Sequence, residues 1–442
     1  MKKTFLLSCL MLAAMPVMAA YTGRVYVDKN KNGVFDPGEK TWAGIKVSDG
    51  LNVVETAADG SFTLPGHERE RFIFITTPSG YKTFNRHYHK IEEKQSGYDF
   101  GLMPYSGRIR KDGSHKYIHI ADTEIFNTEN HEDWVNNVRD YARNEQAAFI
   151  IHTGDICYEK GLKAHIKLMN TENMDCPVFY CIGNHDLVKG KYGEELFESI
   201  YGPVYYSFDA GNVHYIVTPM PGGDHAPGYT ADDVCRWLKN DLAHIRPGTP
   251  VVVFNHDLLT YEDAFIFKSK NAGSINLNEH NLKAWVYGHW HINYMKKQGD
   301  VYSVCTSSLD KGGIDHSTTA FRVMHVDSKG DFTSELRYTY LDKNICIASP
   351  AGVMASGVLP VAVNVYSSVS PVREVLYTCL ADGKPVLKNK RLLQSTDWSW
   401  NGELPLSHKY VGKELTLRVT ARFNNGEIAE AESNFICRTE KT

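Results

Sequence analysis

Five short apolar runs in the middle of this chain each end in residues able to bind a cation or move a proton. Asp122 and Glu124 lie at the end of YIHIAD and just beyond it, Asp155 closes AFIIHTGD, and Asn184, His185 and Asp186 close VFYCIGNHD. His256 sits at the end of VVVFNHD, and His289 and His291 end WVYGHWH. Each alone has a bland reading, because an Asp after a strand commonly caps a helix or forms a turn. Capping does not account for five in series, each behind a run of the buried-strand type. Carboxylates, an amide oxygen and three imidazoles make a donor set for Mn, Fe or Zn rather than a thiolate site. Asp155 is the natural bridge, since one carboxylate can hold two cations about 3.5–4 Å apart. Such a pair generates hydroxide from water at neutral pH and neutralises phosphoryl oxygens. The expected chemistry is hydrolysis of a phosphate ester, with a metal-bridging hydroxide attacking phosphorus.

For these residues to meet, the runs must lie side by side in sheets whose carboxyl ends form one edge. From about residue 116 to 340, strand-like runs alternate with helical stretches at 132–146 and 162–169, the rhythm of an α/β domain with covered sheets. Before it come short β runs (GRVYV, GIKVSDG, RFIFITTP) separated by the turn dipeptides Asp49-Gly50 and Asp59-Gly60. After it, strands return without helices (VAVNVYSS, EVLYTCL, LTLRVTARF). The expected fold class is multidomain α+β. A central α/β sandwich of mixed sheets flanked by helices, residues 107–342, stands between two small β-sandwich domains, 21–106 and 343–442. Residues 107–114 and 342–352 are the expected linkers.

A hydrophobic fraction of 42% with 23% charged residues excludes a collagen, a coiled coil and a multi-span membrane protein. The net charge of −4 gives no reason to expect nucleic-acid binding. Lys2 and Lys3 precede an apolar run that ends in Val17-Met18-Ala19, so residues 1–20 read as a secretory signal. That run contains Pro16 and is too short to span a bilayer, which leaves no transmembrane segment in the mature chain. An exported protein, periplasmic or secreted, is expected. With Cys9 removed, the eight cysteines from Cys157 to Cys437 are open to two readings: buried thiols, or one or two disulfides.

The ordered set Asp122-Thr123-Glu124, Gly154-Asp155, Gly183-Asn184-His185-Asp186, His256 and Gly288-His289-Trp290-His291 resembles the calcineurin-like metallophosphoesterases. The resemblance implies one cation on Asp122, Asp155 and His291 and another on Asp155, Asn184, His256 and His289. It implies that His185 donates a proton to the leaving oxygen or stabilises its charge, with Asp186 either orienting the imidazole or only capping the next helix. Two departures bear on this. Glu124 stands where the family usually has His, so it is a candidate ligand that puts metal preference in doubt. Tyr158 and Glu159 stand where the Ser/Thr phosphatase branch has Asp and Arg, which argues against a phosphoprotein as main substrate.

Asp28, Asn30, Asn32, Asp36 and Glu39 fit the oxygen-ligand template of a calcium loop with Gly33 at its sixth position. Strands flank it, so calcium would have a structural role there. The order of parts resembles an exported bacterial subgroup of the same family. In the loop Gly222-Gly223-Asp224-His225, nothing in the residues fixes a role. The competing class is a non-enzymatic protein binding a surface or polymer, built on a degenerate phosphoesterase fold.

Overall fold

The computed structural model describes residues 20–95, 97–339, 341 and 343–439; the expected secretory signal lies outside the described residues up to Ala19. The chain divides into two compact units, one running up to Thr76 together with Thr83–Met103, the other comprising Thr77–Lys82 and the chain from Pro104.

The first unit is built of β strands. Tyr21–Val27 pairs antiparallel with Ser61–Leu64 and parallel with Phe100–Pro104. A second sheet has the order Val53–Glu55, Lys46–Ser48, Phe72–Ile75, Tyr88–Lys90. Val25, Phe62, Leu64, Phe72, Phe74 and Phe100 are buried, so strand alternation supplies the core.

The second unit opens with two sheets. In the first, Val178–Cys181, Phe149–Thr153 and His115–Ile120 run parallel, and Ala320–Val326 with Phe332–Tyr338 complete the sheet antiparallel. In the second, the order is Tyr206–Ala210, Val213–Val217, Val251–Phe254, Leu282–Tyr287, Val301–Cys305, Tyr294–Gln298. Its four inner strands are parallel and its two edges antiparallel. Aromatic rings join the inner faces. Tyr117 meets Tyr215 at 5.7 Å and Phe254 at 5.8 Å between centroids, and Phe149 meets Phe208 at 5.0 Å. Successive residues point to opposite faces, so Ile118 and Ile120 turn outward to the helices while Tyr117 turns inward. Helix Glu132–Asn144 covers that outer face with Trp134, Val138, Tyr141 and Ala142, spaced for one helical side.

The helix expected at 162–169 begins earlier, at Tyr158. Its first turn, Tyr-Glu-Lys-Gly, is polar and half exposed and carries no apolar period. The expected linker at 342–352 contains strand Lys343–Ser349 instead, whose Ile345 and Ile347 pack on the C-terminal core. That core lies between two further sheets, where Leu359, Val361, Val363 and Val365 alternate inward on one and Leu415, Leu417, Val419 and Ala421 on the other. The eight cysteines from Cys157 onward are all unbridged, seven of them buried and Cys346 exposed.

Candidate metal centre

The turns that leave the parallel strands are too tight for ordinary backbone. Asp122, Glu124, Asp155, His289 and His291 all have positive φ, between 45° and 65°. Non-glycine residues in that region carry a conformational cost of about 1–3 kcal/mol each, and such outliers gather at functional sites. Gly154 makes the approach possible: its φ is +90°, and a Cβ there would stand 2.5 Å from His256 Nδ1. Gly223 does the same opposite Asn184, whose carbonyl oxygen would lie 2.3 Å from a Cβ.

The five strand ends bring the expected residues together. Ligand atoms of Asp155, His256 and His289 lie within 4.8 Å of one another, as do those of Asp122, Asp155 and His291, so Asp155 belongs to both groups. His256 Nε2 is 3.1 Å from Asp155 Oδ2. Its Nδ1 donates to the Thr153 carbonyl at 2.6 Å, which fixes the tautomer that turns the Nε2 lone pair into the cluster. Asp122 is wholly buried and accepts from the His289 amide at 3.1 Å. His291 Nε2 stands 3.5 Å from Asp122 Oδ1 and 3.4 Å from Glu124 Oε1. The other oxygen of Glu124 receives Lys311 Nζ. Asn184 Oδ1 is buried without a hydrogen-bond partner, and His256 Nε2 has none of proper geometry. Buried polar atoms are ordinarily satisfied; a His256 nitrogen facing the clustered carboxylates and an unpartnered amide oxygen on the next ligand loop fit a cation.

The charges agree. Burial drives Asp122 well above the usual carboxylate range, with His256 pulling the other way and Asp155 adding to the rise. Burial acts on Asp155 likewise, but His256 beside it holds it low. His256 would be depressed by burial, yet Asp155 and Asp122 raise it to about 10. Burial first, and His256 second, lower His289; burial also lowers His291. Asp155 is thus balanced by the His256 imidazolium while burial pushes Asp122 toward its protonated form, a charge balance that a divalent cation would supply instead.

His185 lies at the rim with its amide donating to Asp155 Oδ1 at 3.0 Å. The expected orienting residue is corrected here: Asp186 is buried and does not hold that imidazole. Its carboxylate accepts from Cys157 N at 2.7 Å and Gly183 N at 2.8 Å, tying two ligand loops together, and burial raises it to about 6. The imidazole is held by Asp224, whose Oδ2 is 2.9 Å from His185 Nδ1. Burial disfavours the charged ring, but the Asp224 hydrogen bond together with the charges of Asp155, Asp224 and Glu124 outweighs it and raises the pKa. The sequence missed this role, as well as Lys311 and Cys157, whose sulfur approaches Glu124 and Asp155. Burial pushes that thiol up.

In the first unit, the residues of the expected calcium loop are tied by hydrogen bonds to one another and to the loop backbone. Asp28 accepts from Gly33 N at 2.8 Å, Asp36 from the Asn30 and Asn32 amides at 2.7 Å, and Glu39 from Lys29 N at 2.8 Å.

Comparison with known proteins agrees with the geometry. Residues 29–105 match the N-terminal domain of calcineurin-like phosphoesterases and residues 115–293 match the calcineurin-like phosphoesterase domain itself. Among solved structures, a novel archaeal phosphodiesterase is similar at 13% identity and a TM-score of 0.26, covering 50% of this chain and 99% of its own. Vacuolar protein sorting 29 from Cryptosporidium parvum is similar at 11% identity and a TM-score of 0.28, covering 66% of this chain and 98% of its own. Scores this low bear on neither fold nor activity. No curated protein matches. No helix among the described residues is long and apolar enough to cross a membrane. The donor set and the two matched domains lead to one assignment: the chain belongs to the calcineurin-like phosphoesterases, metal-dependent hydrolases of phosphate esters.

Proposed function

We propose that the chain is an exported phosphoesterase working with two cations that share Asp155. The observation carrying this reading is the pair of ligand groups that meet at that one carboxylate. By this reading Asp122 and His291 complete one site, with Glu124 at its edge, and Asn184, His256 and His289 complete the other. When bound, the cations supply the positive charge that activates water and neutralises the phosphoryl oxygens. The chain's own residues do the rest. His256 is fixed through Thr153, and Asp186 locks the Cys157 and Gly183 turns so that Asp155 and Asn184 keep their places. Asp224 holds His185 by Nδ1, leaving Nε2 to give a proton to the leaving oxygen. Lys311 offsets the charge of Glu124, the residue that departs from the usual His.

The apolar leader at 1–20 supports export, and the oxygen-rich loop from Asp28 to Glu39 supports a structural calcium ion. Metal-stripped protein assayed with chromogenic mono- and diesters, with Mn, Zn, Fe or Mg returned separately, tests the reading. Turnover restored by a metal is the expected result. Failure with every metal, and no bound transition metal, would instead favour the surface-binding class.

A further inference from the structure

Among the large apolar side chains left exposed, several stand on or close to the segments that carry the candidate ligands, from both sheets. Phe126, two residues past Glu124, stacks on Tyr158, three past Asp155, with centroids 6.3 Å apart and planes 13° from parallel. They are 54% and 43% exposed, and Tyr158 reaches within 5.3 Å of the His185 ring. These residues follow strands of the first sheet. On the second, Trp290 lies between His289 and His291, its indole anchored by a 3.0 Å bond to Asp257. Tyr261 stacks on it at 5.9 Å and 23°, and Tyr294 lies at 6.0 Å; Tyr261 is 76% exposed.

Ordered rings left in water gain little for the fold, and apolar patches at a site mark what it binds. Near-parallel, open ring faces suit another flat ring by offset stacking. An alkyl chain gains little from them, since it needs a groove that encloses it. The charges narrow the class further. Among the described residues, Lys311 is the one lysine or arginine ion-paired with a carboxylate of the cluster, and with its charge engaged by Glu124 it suits a diester monoanion better than a terminal phosphate dianion.

Resting on the phosphoesterase reading, we propose that the substrate is a phosphodiester monoanion bearing a flat ring on each side of phosphorus. The leaving group lies over Tyr158 and Phe126, beside the proton donor His185, and the retained group lies over Trp290 and Tyr261.

Four esters that share the 4-nitrophenyl leaving group test this: the bis-aryl diester, a nucleoside 5′-diester, the ethyl diester and the monoester. The diesters should exceed the monoester in kcat/KM, and the two ring-bearing diesters should exceed the ethyl one. Tyr261→Ala should lower the ring-over-ethyl ratio about two- to tenfold, the range of one aromatic contact. Comparing parent with variant cancels the esters' own reactivities. Phe126→Ala should instead raise KM for all four esters alike, since they share the leaving group. Preference for the nucleoside arm over the bis-aryl arm would identify the ring as a base, and the reverse as a simple aryl group; both support the proposal. A preferred monoester, or an unchanged ratio in Tyr261→Ala, would overturn it with the phosphoesterase reading intact. No hydrolysis of any ester with any metal would overturn that reading itself.

Discussion

Replacing Asn184 by Ala separates a ligand from a fold-stabilising residue. The Asn184 side-chain oxygen is buried and meets no donor, so in the metal-free protein it contributes an unpaired polar atom. An orphan of this kind costs about 1–3 kcal/mol. Its removal recovers part of that cost and loses some packing of a half-buried side chain, so the metal-free variant should lie within about 1 kcal/mol of the parent. The metal-loaded protein should behave differently. Even residues behind the ligands change metal affinity about 10–100-fold when altered, and a ligand should reach the top of that range. With metal at about 100 times the parent dissociation constant, binding stabilises the parent by about 2.7 kcal/mol; a 100-fold weaker site leaves about 0.4 kcal/mol. Urea unfolding with chelator and with excess metal, on parent and variant, reads both numbers. Turnover should fall in parallel. A metal-free variant destabilised by much more than about 1 kcal/mol, or a metal increment equal to the parent's, would refute the assignment of Asn184 as a ligand.

Asp224→Ala should lower kcat about tenfold or more for esters of poorly acidic alcohols and much less for 4-nitrophenyl esters, because only the former need a proton from an oriented His185; equal losses for both would remove Asp224 from that role. Gly154→Ala places a Cβ 2.5 Å from His256 Nδ1 at a φ of +90° and should cost about 1–3 kcal/mol in urea unfolding, with loss of metal affinity. His165 is buried with both ring nitrogens unpartnered, and burial lowers its pKa to about 3. Below 6.5 the unfolded chain takes a proton that the folded chain refuses, so stability should fall with decreasing pH by about 1.4 kcal/mol per unit from this group. His165→Leu should flatten that slope in urea unfolding across the range. Calcium should raise the melting temperature of the parent and not that of Asp28→Ala, since Asp28 occupies the first ligand position of the loop.

The strand ends were legible because runs such as VVVF and FIIHT are buried on both faces and admit few other placements. A polar residue directly behind such a run must come to the sheet edge, so Asp122, Asp155, Asn184, His256, His289 and His291 could be placed together without coordinates. Asp186 was misread as a partner of its neighbour. Adjacent residues on a tight turn diverge, and its carboxylate turns inward to Cys157 and Gly183. Asp224 could not be assigned, because its contact with His185 spans 39 residues and is made by a loop without periodicity. The same holds for Lys311, which reaches Glu124 across 187 residues. Strand Lys343–Ser349 escaped notice because its exposed positions include Cys346 and Ala348, so its burial alternation does not show as an apolar–polar alternation.

Metal content and activity measured on one preparation test the central claim most directly. Stripped protein is titrated with Mn, Zn or Fe while bound metal is counted and hydrolysis of an aryl diester is followed. Two transition-metal equivalents per chain, with turnover rising as the second binds, are predicted. A single equivalent at full activity, or full activity in the stripped protein, would contradict the claim that Asp155 joins two cations in one hydrolytic centre.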